Sequence, residues 1–405
     1  MHIAFCCAGW PPDGTANGVV SYVQAMRDAC SADGHHVSVI ANGTLFAADG
    51  SEHVLDGVPD ARGRLDRMLL RAERWFDGRR GHLPGVARAI AAQVREAHRI
   101  APIDIVEMEE SFGWPMRVER LAGVPVAVRL HGPYFMKPDL AVRGPEGRRN
   151  RQRVRAEGRA ILAAHAISAP NELVLKVTQG LYGFPEERAV VIPNPIPPVP
   201  EHLQWRADRH DPDMLLYVGR FDAWKGADTA IAAFAALAPQ RPRLRLVMVG
   251  PDVGIADDDG TLRDFHAYVA RHVAPEIRPR IDFTGRLPPG EVAGLRQRAA
   301  LCLFASRVEN FPYALFEALA AGCPVVSTQW LGVAELIAEG QTGLLTPVGD
   351  PAKLADKISW LLDHPEQAAR IGAAARADCA ARFSPRRISR ELTAFYHRSI
   401  AQGAA

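Results

Sequence analysis

Short apolar, strand-like runs alternate with helical patterns twice over in this chain, and the two sets are separated by a segment too rich in proline to be either. In the first half the runs fall at 2–8, 37–42, 104–109, 124–131, 164–170 and 189–194, with helical spacing between them, as in Val19, Val20, Val23 and Met26. In the second half they fall at 214–219, 244–249, 281–285, 301–305, 325–328 and 343–346. Strands separated by helices pair in parallel and are covered on both faces, so each half predicts a doubly wound α/β sheet. Between them lies Pro193-Asn-Pro-Ile-Pro-Pro-Val-Pro200, continuing to Pro212, which lacks the N–H groups that a helix interior or central strand needs. The 405 residues also exceed what one core usually supports. The expected organisation is a first domain over 1–195, a linker over 196–212, a second domain over 213–384 and a terminal helix over 385–405.

Charge and cysteine usage narrow the function classes. With 48 Lys+Arg against 46 Asp+Glu, the chain lacks the basic excess of a dedicated nucleic-acid binder. The six cysteines show no C-x-x-C spacing and read as small buried hydrophobes in a reducing compartment. The strand Ile3-Ala-Phe-Cys-Cys7 begins at once, without the basic start and apolar core of a signal peptide, and no apolar run approaches the ~18 residues of a membrane span. The expectation is a cytoplasmic protein, with any membrane contact peripheral, at the inner face of the plasma membrane.

The chemistry concentrates in Glu309-Asn-Phe-Pro-Tyr-Ala-Leu-Phe-Glu317, followed by Ala-Leu-Ala-Ala-Gly322-Cys-Pro324. Pro312 suits the first helical position and Gly322 with Pro324 the stop, so a short helix is predicted to start near Asn310. Free N–H groups at that start favour an anion such as phosphate. Carboxylates on either side of it repel phosphate unless they accept from hydroxyls, so the ligand should carry both phosphate and sugar.

The pair Glu309 and Glu317, with Phe304-Ala-Ser306 before it and Gly322-Cys-Pro-Val-Val326 after it, resembles the signature of glycosyltransferase family 4, retaining enzymes of the GT-B fold. Other elements of that family's pattern follow in order: Asn17-Gly18, His131-Gly132, Val191-Ile-Pro-Asn194, and Tyr217-Val-Gly-Arg220 with Lys225-Gly226. The resemblance spans nearly the whole chain. It implies two Rossmann-like domains with parallel sheets facing an interdomain cleft, the last helix crossing back to the first domain. It also implies transfer of a sugar from a nucleotide-diphosphate sugar to an acceptor hydroxyl with retention, in glycan, glycolipid or glycoconjugate biosynthesis. Two departures stand out: Asn17-Gly18 where two glycines are usual, and Asn194-Pro195 where a glycine commonly follows the asparagine.

The candidate site residues divide by role. After the first strand of the second half, Gly219 permits close backbone approach, and Arg220 and Lys225 supply the charge a departing diphosphate needs. The resemblance implies that these cations act without a metal, and no cofactor is expected. It places Glu309 on the donor sugar near the reacting carbon and Glu317 on the ribose hydroxyls. Asn310, Phe311 and Pro312 beside them, Arg286 after strand 281–285, and Gly18 complete the donor set. His131, at the end of strand 124–131, is implied to contact donor sugar or diphosphate and to face the acceptor, with Asn17. Glu107, Glu109 and Glu110 close strand 104–109; alternation puts the first two on one face and leaves Glu110 at the tip, reaching an acceptor hydroxyl. Asp257-Asp-Asp259 lacks a further ligand and reads as acidity at the N-terminus of a helix over 262–272 rather than as a metal site.

Two rival readings remain open: a nucleotide-sugar epimerase or hydrolase of the same fold, and a non-catalytic sugar-binding subunit. Intact Arg220, Lys225, Glu309 and Glu317 argue against the latter. Residues 137–159 carry eight basic against three acidic residues and 62–80 seven against three. Solvated helix faces account for such runs; the sharper expectation is a face docking on anionic membrane and presenting the site to a lipid-linked glycan.

Overall fold

Eight strands build the first sheet: β1 (His2–Cys6), β2 (His36–Ala41), β3 (Thr44–Phe46), β4 (Glu52–Val54), β5 (Ile105–Glu109), β6 (Val126–Arg129), β7 (Ala166–Ala169) and β8 (Ala189–Val191). Their order is β4-β3-β2-β1-β5-β6-β7-β8, parallel except for the hairpin-linked edge β2-β3-β4. That antiparallel edge was not expected from the alternation. Three-residue strands such as Thr44-Leu-Phe46 carry too little pattern to register.

The second sheet contains β9 (Asp211–Val218), β10 (Arg245–Val249), β13 (Ile281–Gly285), β14 (Ala299–Phe304), β15 (Val325–Thr328) and β16 (Leu344–Thr346), with β11 (Ile255–Ala256) and β12 (Leu262–Arg263) forming a separate hairpin. Its order β13-β10-β9-β14-β15-β16 is parallel throughout. Along β9, Leu215 and Tyr217 enter one apolar cluster while Met214 and Leu216 enter another. Neighbouring residues of a strand point to opposite faces, so burial of both sets means helices cover both sides.

Those helices are α1 (Gly18–Ala32), α2 (Pro84–Ile100), α3 (Trp114–Ala122), α4 (Gly144–Ala163), α5 (Glu172–Tyr182), α6 (Ala227–Leu237), α7 (Phe265–His272), α8 (Pro289–Arg298), α9 (Tyr313–Ala321), α10 (Pro351–Asp363), α11 (Pro365–Arg382) and α12 (Pro385–Gly403). The computed structural model describes residues 1–12, 17–55, 84–137 and 144–403, so the basic run 62–80 lies outside the described residues. The chain divides into two units, Met1–Pro195 with Pro385–Ala405, and Ile196–Ser384. Both are Rossmann-like, the architecture of GT-B glycosyltransferases.

The proline-dense segment expected as a linker is fastened to the second unit. Ile196 and Trp205 are buried in that unit's core, Trp205 donates from Nε1 to the Ala299 carbonyl at 2.7 Å, and β9 already begins at Asp211. Bulky apolar residues placed among the prolines give it something to bury.

Candidate functional site

The loop after β9 is built around Asp222, a residue the sequence reading did not single out. Its Oδ2 receives Arg220 Nε at 2.6 Å and its Oδ1 the Lys225 backbone N–H at 2.7 Å. From β9, the Tyr217 hydroxyl donates to the carbonyls of Arg220 and Lys225 at 3.0 and 3.1 Å, closing the loop from beneath. Gly226 turns the chain at φ +67°, where a Cβ would lie 1.8 Å from the Ala305 carbonyl oxygen. Only glycine fits there, so α6 starts against the end of β14 and brings Lys225 alongside Glu309.

Lys225 Nζ meets Glu309 Oε1 at 2.6 Å, and Ser306 Oγ donates to the same oxygen at 2.7 Å. The Glu309 side chain is only 9% exposed, whereas Arg220 is 51% exposed and so can turn its free N–H groups outward. The second signature carboxylate, Glu317, is half exposed and pairs with a buried arginine of α8: Arg296 Nη2 to Glu317 Oε2, 2.5 Å. Ser306 and Arg296 fix the two glutamates. Ser306 sits three residues before Glu309 in the same loop, whereas Arg296 comes from another element, where the spacing of the glutamates does not announce it.

Pro312 precedes α9 instead of opening it. Its backbone, φ −82° and ψ 90°, is not helical, its carbonyl accepts from Leu315 and Phe316, and the helix runs from Tyr313 rather than from near Asn310. The ring of Phe311 stacks on Phe316 at 4.2 Å, which draws the segment down onto the core. Gly322 ends the helix at φ +76°, as the sequence suggested. Asn310 is partly buried, Gly219 donates to the Val249 carbonyl, and Arg286 is exposed just beyond β13.

In the first unit, His131 and Gly132 follow β6. The His131 ring lies edge-on to Tyr22 with centroids 5.1 Å apart, and burial, aided by the Arg129 guanidinium, pushes its pKa down to about 3. The imidazole is therefore neutral at ordinary pH and offers one donor and one acceptor. Behind it lies a buried polar group: Tyr22 and Tyr396 both donate to Glu107 Oε2, and Arg129 Nη2 donates to Asn194 Oδ1 at 2.5 Å. Burial raises the Glu107 pKa against the pull of Arg129.

Two expected roles, those of Glu110 and of Asp257 with Asp259, are corrected by where the side chains go. Glu110 is not an exposed tip reaching an acceptor: it is 2% exposed and accepts from the backbone N–H groups of His131 and Gly132. Asn17 caps α1, its Oδ1 accepting from Val19 N–H at 3.0 Å, next to exposed Gly18 at the first helical position. Asp257 and Asp259 do not sit at a helix N-terminus, since β12 intervenes and Asp264 caps α7. They pair with Arg263 at 2.5 Å each, and Asp257 also with Arg271 and His272. The basic run following His131 is likewise divided. Arg148, Arg151, Arg155 and Arg159 recur at helical spacing on α4 and are exposed, whereas Arg153 turns inward to Glu157 at 2.8 Å.

Matches to known protein families fall on both units. Residues 16–199 match the family described as Glycosyltransferase Family 4, and residues 201–378 match Glycosyl transferases group 1. The chain is 25% identical to the D-inositol 3-phosphate glycosyltransferase of a Nocardioides species, over 97% of this chain and 87% of that protein. The sucrose-phosphate synthase of Thermosynechococcus elongatus superposes with a TM-score of 0.71 at 19% identity, covering 99% of each chain. The Anabaena protein HepE, solved in complex with UDP and glucose, does so with a TM-score of 0.65 at 19% identity, over 97% of this chain and 98% of that one. These two show the shared fold.

Proposed function

We propose, from the premise that the chain belongs to glycosyltransferase family 4, that it is a retaining, metal-independent enzyme moving a sugar from a nucleotide-diphosphate sugar to a hydroxyl acceptor. The observation that carries the reading is the joining of Lys225 to Glu309 at 2.6 Å, on a loop that also holds Arg220. A cation and a carboxylate side by side suit a sugar diphosphate, whose phosphate takes the ammonium while its hydroxyls donate to the carboxylate.

On this reading the second unit binds the donor. Arg220 and Lys225 stabilise charge growing on the leaving diphosphate, Glu309 meets the donor sugar near its anomeric carbon, and Glu317, steadied by Arg296, accepts from the ribose hydroxyls. The acceptor belongs to the first unit, with neutral His131 touching donor sugar or diphosphate. Retention follows a front-face course, in which a diphosphate oxygen takes the acceptor proton and no side chain serves as dedicated base. A panel of uridine, guanosine and adenosine diphosphate sugars in a thermal-shift screen tests the donor. At 100-fold excess over Kd the matching one contributes about 2.7 kcal/mol and raises Tm visibly. Nucleotide release that depends on an added hydroxyl acceptor marks the transferase. Release without any acceptor would mark the hydrolase or epimerase instead.

The acceptor side of the reading is a lipid-linked glycan, with peripheral contact between α4 and anionic membrane. Support comes from Arg148, Arg151, Arg155 and Arg159, exposed along one helix face with no ion pair among the described residues. No helix of the described residues is long and apolar enough to cross a membrane. At ~1 kcal/mol per basic residue near an anionic surface, replacing those four with glutamine should abolish sedimentation with anionic liposomes at low salt. Equal, negligible sedimentation of the unaltered protein with anionic and neutral liposomes would favour a soluble acceptor.

A further inference from the structure

Four backbone amides from two separate segments of the first unit are held by two buried carboxylates. Glu110, at the end of β5, accepts from His131 N–H at 3.0 Å and from Gly132 N–H at 2.9 Å. Glu157, on α4 and fully buried, accepts from Phe112 N–H at 3.1 Å and from Tyr134 N–H at 2.8 Å. The segment between Glu110 and α3 is held in an unusual shape, since Phe112 has φ 57°, and at Gly113 a Cβ would lie 2.4 Å from the Ala156 carbonyl oxygen. Arg153 covers the Phe112 and Tyr134 rings, its Cζ 3.7 and 4.1 Å from their centroids. Backbone bonds flank these amides, Leu130 N–H to the Ser168 carbonyl before them and Met136 N–H to the Pro133 carbonyl after them, but the His131 and Gly132 amides themselves go to Glu110.

We propose that Glu110, with Glu157 beside it, is a positioning residue for His131: as a carboxylate it fixes the His131–Gly132 backbone through two amides, and on gaining a proton it loosens it. The inference rests on the reading of His131 as part of the transferase site. An ionised carboxylate takes two N–H donors symmetrically, whereas the protonated acid presents one hydroxyl that faces a donor and weakens that bond. A buried carboxylate bridging two amides is an expensive way to hold a loop unless its charge state has a use.

The surroundings of Glu110 keep its proton within reach of ordinary pH. Glu109 precedes it on β5, Glu157 faces it from α4, the His131 amide from the end of β6, and Tyr182 from α5, while the nearby cations act on its neighbours, Arg153 on Glu109 and Arg129 on His131. Arg153 is engaged with Glu157, and Glu110 has no ion pair among the described residues. Burial and the neighbouring Glu157 charge outweigh the two amides and push the Glu110 pKa up to about 8. The signs of the two consequences oppose each other. A carboxyl whose folded pKa lies above its ordinary 4.5 binds more protons folded than unfolded, so stability falls as pH rises from 4.5 to about 8. The grip on His131 strengthens over the upper part of the same interval.

The test is a pH series read two ways. In 1H–15N spectra of protein labelled at histidine and glycine, the His131 and Gly132 amides should move downfield together with one midpoint near 8. Turnover of the donor found in the panel should rise about tenfold through that midpoint at constant KM, since a small misplacement of a reacting group costs up to ~10²-fold in rate. In Glu110→Gln both changes should vanish, leaving low, pH-independent turnover. Glu157→Gln removes the like charge and should lower the midpoint by on the order of one pH unit, which keeps the idea testable if the first variant folds poorly. Flat amide shifts in the unaltered protein, a wild-type pH profile in Glu110→Gln, or an unmoved midpoint in Glu157→Gln would overturn the proposal. Should no nucleotide sugar be turned over while the amides titrate, the transferase reading fails and the carboxylate grip stands.

Discussion

Glu309→Gln lowers kcat by ~10² to 10³, about 2.7–4 kcal/mol of transition-state stabilisation, while the protein still folds. The amide has the carboxylate's shape and can still accept from Ser306, but it gives up the charge that holds Lys225 Nζ at 2.6 Å. A carboxylate next to a carbon that gains positive character helps most in the transition state, so the loss appears in turnover more than in KM. Glu317→Gln behaves differently. Its carboxylate is half exposed and paired with Arg296, away from the Lys225 loop, so the change raises the donor KM and leaves kcat nearly intact. Steady-state kinetics of the two variants separate the roles. Near-normal turnover in Glu309→Gln would remove it from the reacting centre.

Lys225→Ala and Arg220→Ala each cost on the order of 2–4 kcal/mol in kcat/KM, and activity persists in EDTA. The two cations differ in how they are held. Arg220 is anchored through one N–H by Asp222 and keeps the rest of its fork for phosphate, whereas Lys225 is paired with Glu309 until a donor competes for it. Removing Lys225 leaves Glu309, 9% exposed, with Ser306 as its side-chain partner among the described residues, so this variant should be the more damaged of the two. A double-mutant cycle between Lys225 and Glu309 should show strong coupling, as residues in direct contact do. Complete loss of activity in EDTA with recovery on adding magnesium or manganese would show that the cations do not act alone.

Most strands could be read from sequence because the central ones, such as Ala299–Phe304 and Val325–Thr328, are buried on both faces. Ile281–Gly285 and Val325–Thr328 begin and end where the apolar runs do, and the other long strands differ by a few residues. β3, β4 and the β11–β12 hairpin escaped notice, being two or three residues each. At the site, the legible features were those whose spacing along the chain is itself the signal: the glutamates eight positions apart, and the glycines and cations after β9. Illegible were the side chains that hold them. Asp222 and Ser306 act within irregular loops and Arg296 between elements, where no periodicity reports direction. Glu110 shows the same limit from the other side. A strand-end carboxylate looks solvent-bound until the backbone amides of a neighbouring strand's loop are seen to close on it.

Helix α12 is made of the chain's last described residues and yet belongs to the first unit, where Tyr396 gives its hydroxyl to Glu107 and Ser389 gives its hydroxyl to Asp33. During synthesis the first unit therefore emerges incomplete. Its sheet is finished at β8, but Glu107 lacks one of its two phenols and α1 its covering helix until nearly two hundred further residues, Ile196–Ser384, have been translated. The second unit, contiguous in sequence, has everything it needs while still near the ribosome. Completion of the first unit, which carries His131, therefore waits on translation of the whole second unit, which carries Lys225 and Glu309.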